Sequence, residues 1–223
     1  ELSAVIEEAY RYFSVITVTG PRQSGKTTLI RNLFPHLPYY SLENLDVRSF
    51  AENDPVAFLN QHTEGMILDE VHNAPNLLSY IQGMVDADAD RRFILSGSSQ
   101  FAMLKKVTQS LAGRTAVFEL LPMSYSEIRE IAADTPLDHL LFNGFYPAIY
   151  SGRNVPKFLY PAYMKTYLDK DVRDLLQIKD MMQFHTFIRL CAGRIGSLFK
   201  ASELANEIGI SSHTVTAWLS VLQ

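Results

Sequence analysis

Eight residues decide the fold of this chain, Gly20-Pro21-Arg22-Gln23-Ser24-Gly25-Lys26-Thr27, because they match the pattern G-x-x-x-x-G-K-[ST] at every fixed position. A β-rich run, Val15–Thr19, precedes them, and a helical pattern starts at Thr27. In this context the backbone N–H groups of the loop and the N-terminus of the following helix form a nest for phosphate oxygens. The sequence therefore predicts a phosphate-binding loop between a strand and a helix.

The residue types in this loop fit a nucleoside triphosphate bound with a cation. Gly25 lets the backbone approach the phosphates, Lys26 places a charge between the β- and γ-phosphates, and the Thr27 hydroxyl is a ligand for Mg²⁺. We expect ATP or ADP to contact the loop and the first helical residues: Gly20, Pro21, Arg22, Gln23, Ser24, Gly25, Lys26, Thr27 and Thr28.

A second element of the site is predicted where an apolar run ends in two acids, Met66-Ile67-Leu68-Asp69-Glu70. Adjacent carboxylates at the end of a buried strand need a cation or water to interact with. We expect Asp69 to hold Mg²⁺ and Glu70 to polarise the water that attacks the γ-phosphate. A glutamate directly after the aspartate favours hydrolysis over phosphate transfer to a metabolite.

Outward from the loop, residues 15–119 alternate short β-rich runs with helical patterns, which is typical of an α/β fold with a mainly parallel sheet. The predicted strands are Val15–Thr19, Tyr39–Leu42, Met66–Asp69, Arg92–Ser96 and Ala116–Leu120. The helices predicted between them are Thr27–Phe34, Pro55–Gln61, Asn76–Asp86 and Gln100–Leu111.

From Leu121 onward the β signal disappears. The helical patterns there are Ser124–Ala133, Asp138–Phe142, Phe158–Asp174, Met181–Cys191, Ala201–Ile208 and Ser212–Leu222. We therefore expect three domains: a P-loop ATPase core at 1–120, a helical lid at 121–180, and a truncated helix-turn-helix or winged-helix module at 181–223. The turn of that module is predicted at Gly209.

Four further residues leave two interpretations open. Ser98 and Gln100, after the strand Arg92–Ser96, either sense the γ-phosphate or cap the following helix. Arg114 is either a catalytic finger that enters the site of a neighbouring copy or a partner in a salt bridge, with equal weight. Arg173 is either a lid arginine on the ATP phosphates or, as we favour, a solvated residue on a helix face.

The helix-turn-helix raises the question of DNA binding. Contacts with phosphates dominate the affinity of such modules for DNA, yet residues 211–223 include no Lys or Arg. Arg189, Arg194 and Lys200 would form only a small basic patch nearby. DNA is therefore the less favoured partner, and packing against an unknown protein partner or a further domain is preferred.

The motifs taken together resemble the prokaryotic AAA-type ATPases of the AAA_14 family. The resemblance rests on Gly20–Thr27, Ser41-Leu42-Glu43, Asp54-Pro55, Leu68–His72, Leu95–Ser99, Ser110–Arg114, Pro122-Met123-Ser124, Gly144-Phe145-Tyr146-Pro147, Tyr167–Arg173 and Ser202–Leu219. It implies a P-loop ATPase of the AAA+/STAND-like group with sheet order 5-1-4-3-2, a helical lid and a winged helix. It also implies a C-terminal DUF4143 domain that this sequence lacks.

The composition is that of a packed globular protein, with 47% hydrophobic and 20% charged residues. A net charge of −4 argues against nucleic-acid binding over the whole surface. The single cysteine, Cys191, excludes an internal disulfide and a Cys-rich zinc site. No apolar run approaches the roughly 18–20 residues that a membrane span needs. We expect a cytoplasmic protein. Since the chain lacks an initiator Met and stops within an apolar helical pattern, we also expect it to be a fragment of a longer protein.

These observations lead to one preferred function and two alternatives. The preferred function is Mg²⁺-dependent ATP binding and hydrolysis that drives a conformational switch or motor, with Lys26, Glu70 and Arg114 as the catalytic residues. The first alternative is an ATP-gated regulator that binds DNA through the helix-turn-helix. The second is a self-assembling signalling switch, for which a homo-oligomer is expected.

Overall fold

The computed structural model describes residues 2–97, 107, 109–166 and 180–222. Two compact units are present, residues 1–153 and 154–223. The divisions predicted from the sequence fall instead after residues 120 and 180, and that three-domain scheme stays a prediction.

The first unit is built on a five-stranded sheet in which every neighbouring pair is parallel. The strands are β1 (Val15–Thr19), β2 (Tyr39–Ser41), β3 (Gly65–Asp69), β4 (Arg92–Ser96) and β5 (Thr115–Glu119). Their order is β2-β3-β4-β1-β5. This is the predicted order 5-1-4-3-2 read from the other edge, so the predicted fold class is confirmed.

Helices cover both faces of this sheet. Those before β5 are α1 (Leu2–Tyr10), α2 (Lys26–Leu33), α3 (Leu45–Asn53), α4 (Pro55–Leu59) and α5 (Leu77–Ala87). One core cluster joins Ile67 of β3 to Ile6 of α1 and Ile30 of α2. The other joins Leu68 of β3 to Ile81 of α5. Because successive side chains of a strand point to opposite faces, both faces of β3 are apolar and buried.

Two of these helices, α1 and α3, were not predicted from the sequence. Helix α1 buries only Ile6 completely, although Leu2, Ala9 and Tyr10 pack beside it against the same core cluster. Helix α3 buries only Ala51 completely. Helix α3 instead depends on its first turn, where the Asn44 side chain accepts hydrogen bonds from two backbone N–H groups. The predicted helix Gln100–Leu111 lies largely outside the described residues.

After β5 the described part of the first unit is helical, as predicted. It contains α6 (Tyr125–Ile131), α7 (Leu137–Asn143) and α8 (Pro147–Tyr150). Helix α6 begins with a capping box in which Ser124 and Glu127 bond each other's backbone N–H groups.

The second unit contains α9 (Pro156–Tyr163), α10 (Met181–Ala192), α11 (Ala201–Ile208) and α12 (Ser212–Leu222). Its core is formed by Phe184 and Phe187 of α10, which pack against Trp218 of α12 with ring centroids 5.3 and 5.6 Å apart. The predicted bounds of α11 and α12 are those observed, and Gly209 makes the turn in the left-handed conformation. Beyond residue 166, the predicted helix Phe158–Asp174 lies outside the described residues.

No helix within the described ranges is both long and apolar enough to cross a membrane.

Candidate functional site

The loop between β1 and α2 has the backbone conformation that its glycines allow. Gly20 and Gly25 have φ values of 138° and 100°. A Cβ atom on Gly20 would overlap the backbone carbonyl oxygen of Leu120, so glycine is required there for close packing as well as for φ. Gln23 has a φ of 64°, which is strained for a residue with a side chain. The loop is therefore tightly curled at the carboxyl end of the sheet.

Lys26 is the first residue of α2 and is 6% exposed. Its Nζ donates hydrogen bonds to the carbonyl oxygens of Gly20 at 3.0 Å and Pro21 at 2.8 Å. Burial lowers the pKa of Lys26, whereas the negative charges of Glu70 and Asp69 oppose that shift. The amine is thus held by loop carbonyls and lies within the electrostatic range of both acids at the end of β3.

Asp69, at the end of β3, is the centre of a hydrogen-bond network. The Thr27 hydroxyl donates to Asp69 Oδ2 at 2.7 Å, and the Tyr39 hydroxyl donates to the same oxygen at 2.7 Å. The Ser96 hydroxyl donates to Oδ1, as does the backbone N–H of Glu70 at 3.1 Å. Three strands and the loop helix therefore converge on one carboxylate.

A threonine hydroxyl and an aspartate carboxylate are hard oxygen donors of the kind that Mg²⁺ prefers. The predicted cation ligands Thr27 and Asp69 lie side by side, so this donor set fits that ion. Tyr39 and Ser96 were not among the predicted site residues. Both residues lie on predicted strands that neighbour the Asp69 strand. The contact of Tyr39 with Asp69 depends on the pairing register, in which Tyr39 lies opposite Ile67, and the sequence does not reveal that register.

Glu70 follows β3 in a left-handed conformation with a φ of 54°. Non-glycine residues in this region are often found at functional sites, where the surrounding structure maintains the strain. One carboxylate oxygen, Oε2, lies 3.1 Å from Nδ1 of His72. The predicted base is therefore next to the cation-ligand candidate Asp69 and in contact with an imidazole.

Another segment that returns to the loop is Gly144–Pro147, to which the sequence analysis gave no site role. The Met123 N–H donates to the Phe145 carbonyl at 2.9 Å, and the Tyr150 hydroxyl donates to the Gly144 carbonyl at 2.8 Å. A Cβ atom on Gly25 would lie 3.8 Å from the Pro147 side chain. The first turn of α8 is therefore beside the loop.

The structure places Arg114 away from this cluster. Arg114 precedes β5, at the amino end of the parallel sheet, whereas the loop follows β1 at the carboxyl end. Its Nε and Nη2 lie 2.5 and 2.9 Å from the two carboxylate oxygens of Asp86. This is the geometry of the salt-bridge alternative. Three other predicted residues, Ser98, Gln100 and Arg173, lie outside the described residues.

In the second unit, two of the three basic residues expected to form a patch near the helix-turn-helix, Arg194 and Lys200, are paired with acids. Arg194 forms a salt bridge with Glu207, and Lys200 contacts Glu203 at 2.8 Å. Since α12 itself carries no Lys or Arg, this surface has little positive charge to offer a phosphate backbone.

The comparison with protein families gives two matches along the chain. The AAA domain model AAA_14 matches residues 12–129, and a domain of unknown function, DUF8612, matches residues 134–223. The helical part is thus matched by DUF8612, whereas the sequence analysis expected a region that leads to DUF4143.

Among curated proteins, the chain resembles the uncharacterized proteins Mb2031c of Mycobacterium bovis and Rv2008c of Mycobacterium tuberculosis, with 29% identity to each over 231 aligned positions. The alignments include all of this chain and 50% of each relative. The chain therefore spans about half the length of the curated relatives it matches.

Among solved structures, the Walker-type ATPase PABY2304 of Pyrococcus abyssi is similar, with a TM-score of 0.54 and 15% identity over 83% of this chain and 77% of that one. This likeness concerns the fold.

Proposed function

This chain belongs to the AAA_14 family of AAA domains, and from that premise we propose that it binds ATP with Mg²⁺ and hydrolyses it to drive a conformational switch or motor. One observation carries the proposal. The loop and the acidic strand end meet, because the Thr27 hydroxyl donates a hydrogen bond of 2.7 Å to Asp69 Oδ2.

The triphosphate would lie in the curled loop. Lys26 would exchange its two carbonyl acceptors for oxygens of the β- and γ-phosphates, which relieves the cost of a buried ammonium. The buried Ser24 hydroxyl has no hydrogen-bond partner within the described residues, so a phosphate oxygen could supply one. The proposed nucleotide contacts are Gly20, Pro21, Arg22, Gln23, Ser24, Gly25, Lys26, Thr27 and Thr28.

Thr27 and Asp69 would hold Mg²⁺ beside the phosphates. When bound, this ion neutralises negative charge on the β- and γ-phosphate oxygens. The chain's own contribution is a prearranged pair of oxygen donors that the loop helix and β3 fix in place.

Glu70 would act as the general base. It accepts a proton from water as the water oxygen bonds to the γ-phosphorus and the bond to the bridging oxygen of ADP breaks, which leaves ADP and inorganic phosphate. Glu70 Oε2 lies 3.1 Å from Nδ1 of the His72 imidazole.

A homo-oligomer in which Arg114 acts as a finger on a neighbouring copy is a further part of the proposal. Within its own chain, Arg114 lies at the amino end of the strands and the loop lies at the carboxyl end. The paired basic residues of the second unit do not favour DNA binding, so we do not propose it.

The test compares nucleotide binding with phosphate release in the full chain. Glu70→Gln should bind ATP with wild-type affinity but release phosphate about 10²–10⁴-fold more slowly, as expected for the loss of a general base. Glu52→Gln, an exposed carboxylate on α3, is the control and should behave as wild type. Equal phosphate release by wild type and Glu70→Gln would contradict the assignment of the base.

A further inference from the structure

Tyr39 contacts the proposed cation site from an edge of the sheet. Its position on β2 is opposite Ile67, so Tyr39 and Asp69 lie on the same face, two positions apart along the neighbouring strand. Such diagonal neighbours are within reach of an aromatic side chain. The hydroxyl accordingly donates to Asp69 Oδ2 at 2.7 Å.

The Tyr39 ring is fixed by the same helix that supplies Thr27. The Arg31 guanidinium carbon lies 4.8 Å from the ring centroid of Tyr39, and Arg31 follows Thr27 by four residues, so both are on one face of α2. The ring also packs against the core cluster of Ile30 and Ile67. These contacts with the ring therefore fix the position of the hydroxyl, whereas a water molecule at the same place would exchange with solvent.

Two hydroxyls converge on the same carboxylate oxygen. Those of Thr27 and Tyr39 each donate a hydrogen bond of 2.7 Å to Asp69 Oδ2. Together they restrict the rotation of the carboxylate.

We propose that Tyr39 is a positioning residue for Mg²⁺: its hydroxyl holds the Asp69 carboxylate in the orientation in which that group and Thr27 bind the cation. This inference rests on the proposed function. Hydrogen bonds to a metal-ligating carboxylate orient it, and their removal typically reduces metal affinity about 10–100-fold. Tyr39 therefore acts on the cation without contacting the nucleotide.

The chain offers a matched control in the next residue. Tyr40 also lies on β2, and its hydroxyl forms a hydrogen bond of 2.8 Å, but with His62 Nε2 and on the other face of the strand. Tyr39→Phe and Tyr40→Phe thus each remove one hydroxyl from the same strand, and only the hydroxyl of Tyr39 contacts Asp69.

The experiment measures the affinity of the full chain for a fluorescent, non-hydrolysable ATP analogue, first in EDTA and then as Mg²⁺ is titrated. In EDTA, wild type and both variants should bind alike, which shows that the loop is intact. The Mg²⁺ concentration that gives half of the cation-dependent gain in affinity should rise about 10-fold or more in Tyr39→Phe, while Tyr40→Phe matches wild type.

Two results would overturn the inference. The first is a Mg²⁺ midpoint for Tyr39→Phe that equals the midpoints of wild type and Tyr40→Phe. The second is a loss of affinity in EDTA for Tyr39→Phe, since Tyr39 would then support the loop rather than the cation site. If wild type fails to bind the analogue at all, the proposed function itself fails and the inference falls with it.

Discussion

The first glycine of the loop provides a test of how the nucleotide site is attached to the sheet. In Gly20→Ala, the new methyl group would overlap the Leu120 carbonyl oxygen, and the backbone would keep a φ of 138° that alanine rarely adopts. The loop and the end of β5 would have to separate by about 1 Å before the contact becomes an ordinary one.

The magnitude follows from two contributions. Strain at a sparsely populated φ costs about 1–3 kcal/mol. The separation also stretches the hydrogen bond from Leu120 N–H to the Thr19 carbonyl, which is 2.8 Å long, and a lost hydrogen bond of this kind costs about 1 kcal/mol. We therefore expect Gly20→Ala to lower the free energy of unfolding by about 2–4 kcal/mol.

The matched control is Gly113→Ala. Gly113 also has a positive φ, 76°, but a Cβ atom there would meet nothing within 4 Å. Only the left-handed backbone penalty applies, so a loss of about 1 kcal/mol is expected. Urea unfolding followed by circular dichroism measures both variants. Fluorescence is unsuitable because the only tryptophan, Trp218, lies in the second unit.

Gly20→Ala has a functional consequence as well, because the Gly20 carbonyl accepts a hydrogen bond from Lys26. Weaker ATP binding should accompany the loss of stability, whereas Gly113→Ala should bind ATP normally. If Gly20→Ala is no less stable than Gly113→Ala, the close packing of the loop against the end of β5 is refuted.

Two other predictions concern charged residues. If Arg114 is a finger that acts on a neighbouring copy, a mixture of Arg114→Ala and Glu70→Gln should regain ATPase activity, because some interfaces then combine an intact Arg114 with an intact Glu70. If no activity returns in a confirmed oligomer, only the salt bridge with Asp86 is left as the role of Arg114. For Lys26, burial lowers the pKa below 10.5, and a bound phosphate should raise it again. ATP binding should therefore take up protons at alkaline pH. For the same reason, the affinity for ATP should fall as the pH rises through the lowered pKa of the free protein. Calorimetry in buffers of different ionisation enthalpy measures this uptake, and its absence would contradict the buried lysine.

The sheet could be predicted from the sequence because its central strands are buried on both faces. Strands β1 and β3 are buried throughout, so β1 reads as a short β-branched run and β3 as a short apolar run between turn signals. The order of the strands was implied by the resemblance to the AAA_14 family, and the observed order agrees with it. By contrast, α3 completely buries only Ala51 and carries little periodic signal. Helix α1 was overlooked although its apolar side chains recur at helical spacing, at Leu2, Ile6, Ala9 and Tyr10.

Within the site, the residues of single motifs could be predicted, but contacts between motifs could not. Thr27 and Asp69 follow from two local patterns, whereas the hydroxyl of Tyr39 meets Asp69 only because β2 pairs with β3 in a particular register. The approach of Pro147 to Gly25 likewise depends on how the chain returns after β5. For Arg114 the sequence left two alternatives, and its partner Asp86 lies on a different element, the end of α5.

The central claim, that the loop at residues 20–27 binds ATP, is tested most directly by isothermal titration of ATP and Mg²⁺ into the wild-type chain and Lys26→Ala. Lys157→Ala, which removes an exposed lysine of α9, serves as the control. We predict saturable binding by wild type and Lys157→Ala, and no measurable binding by Lys26→Ala. Equal ATP affinity in wild type and Lys26→Ala would contradict the account.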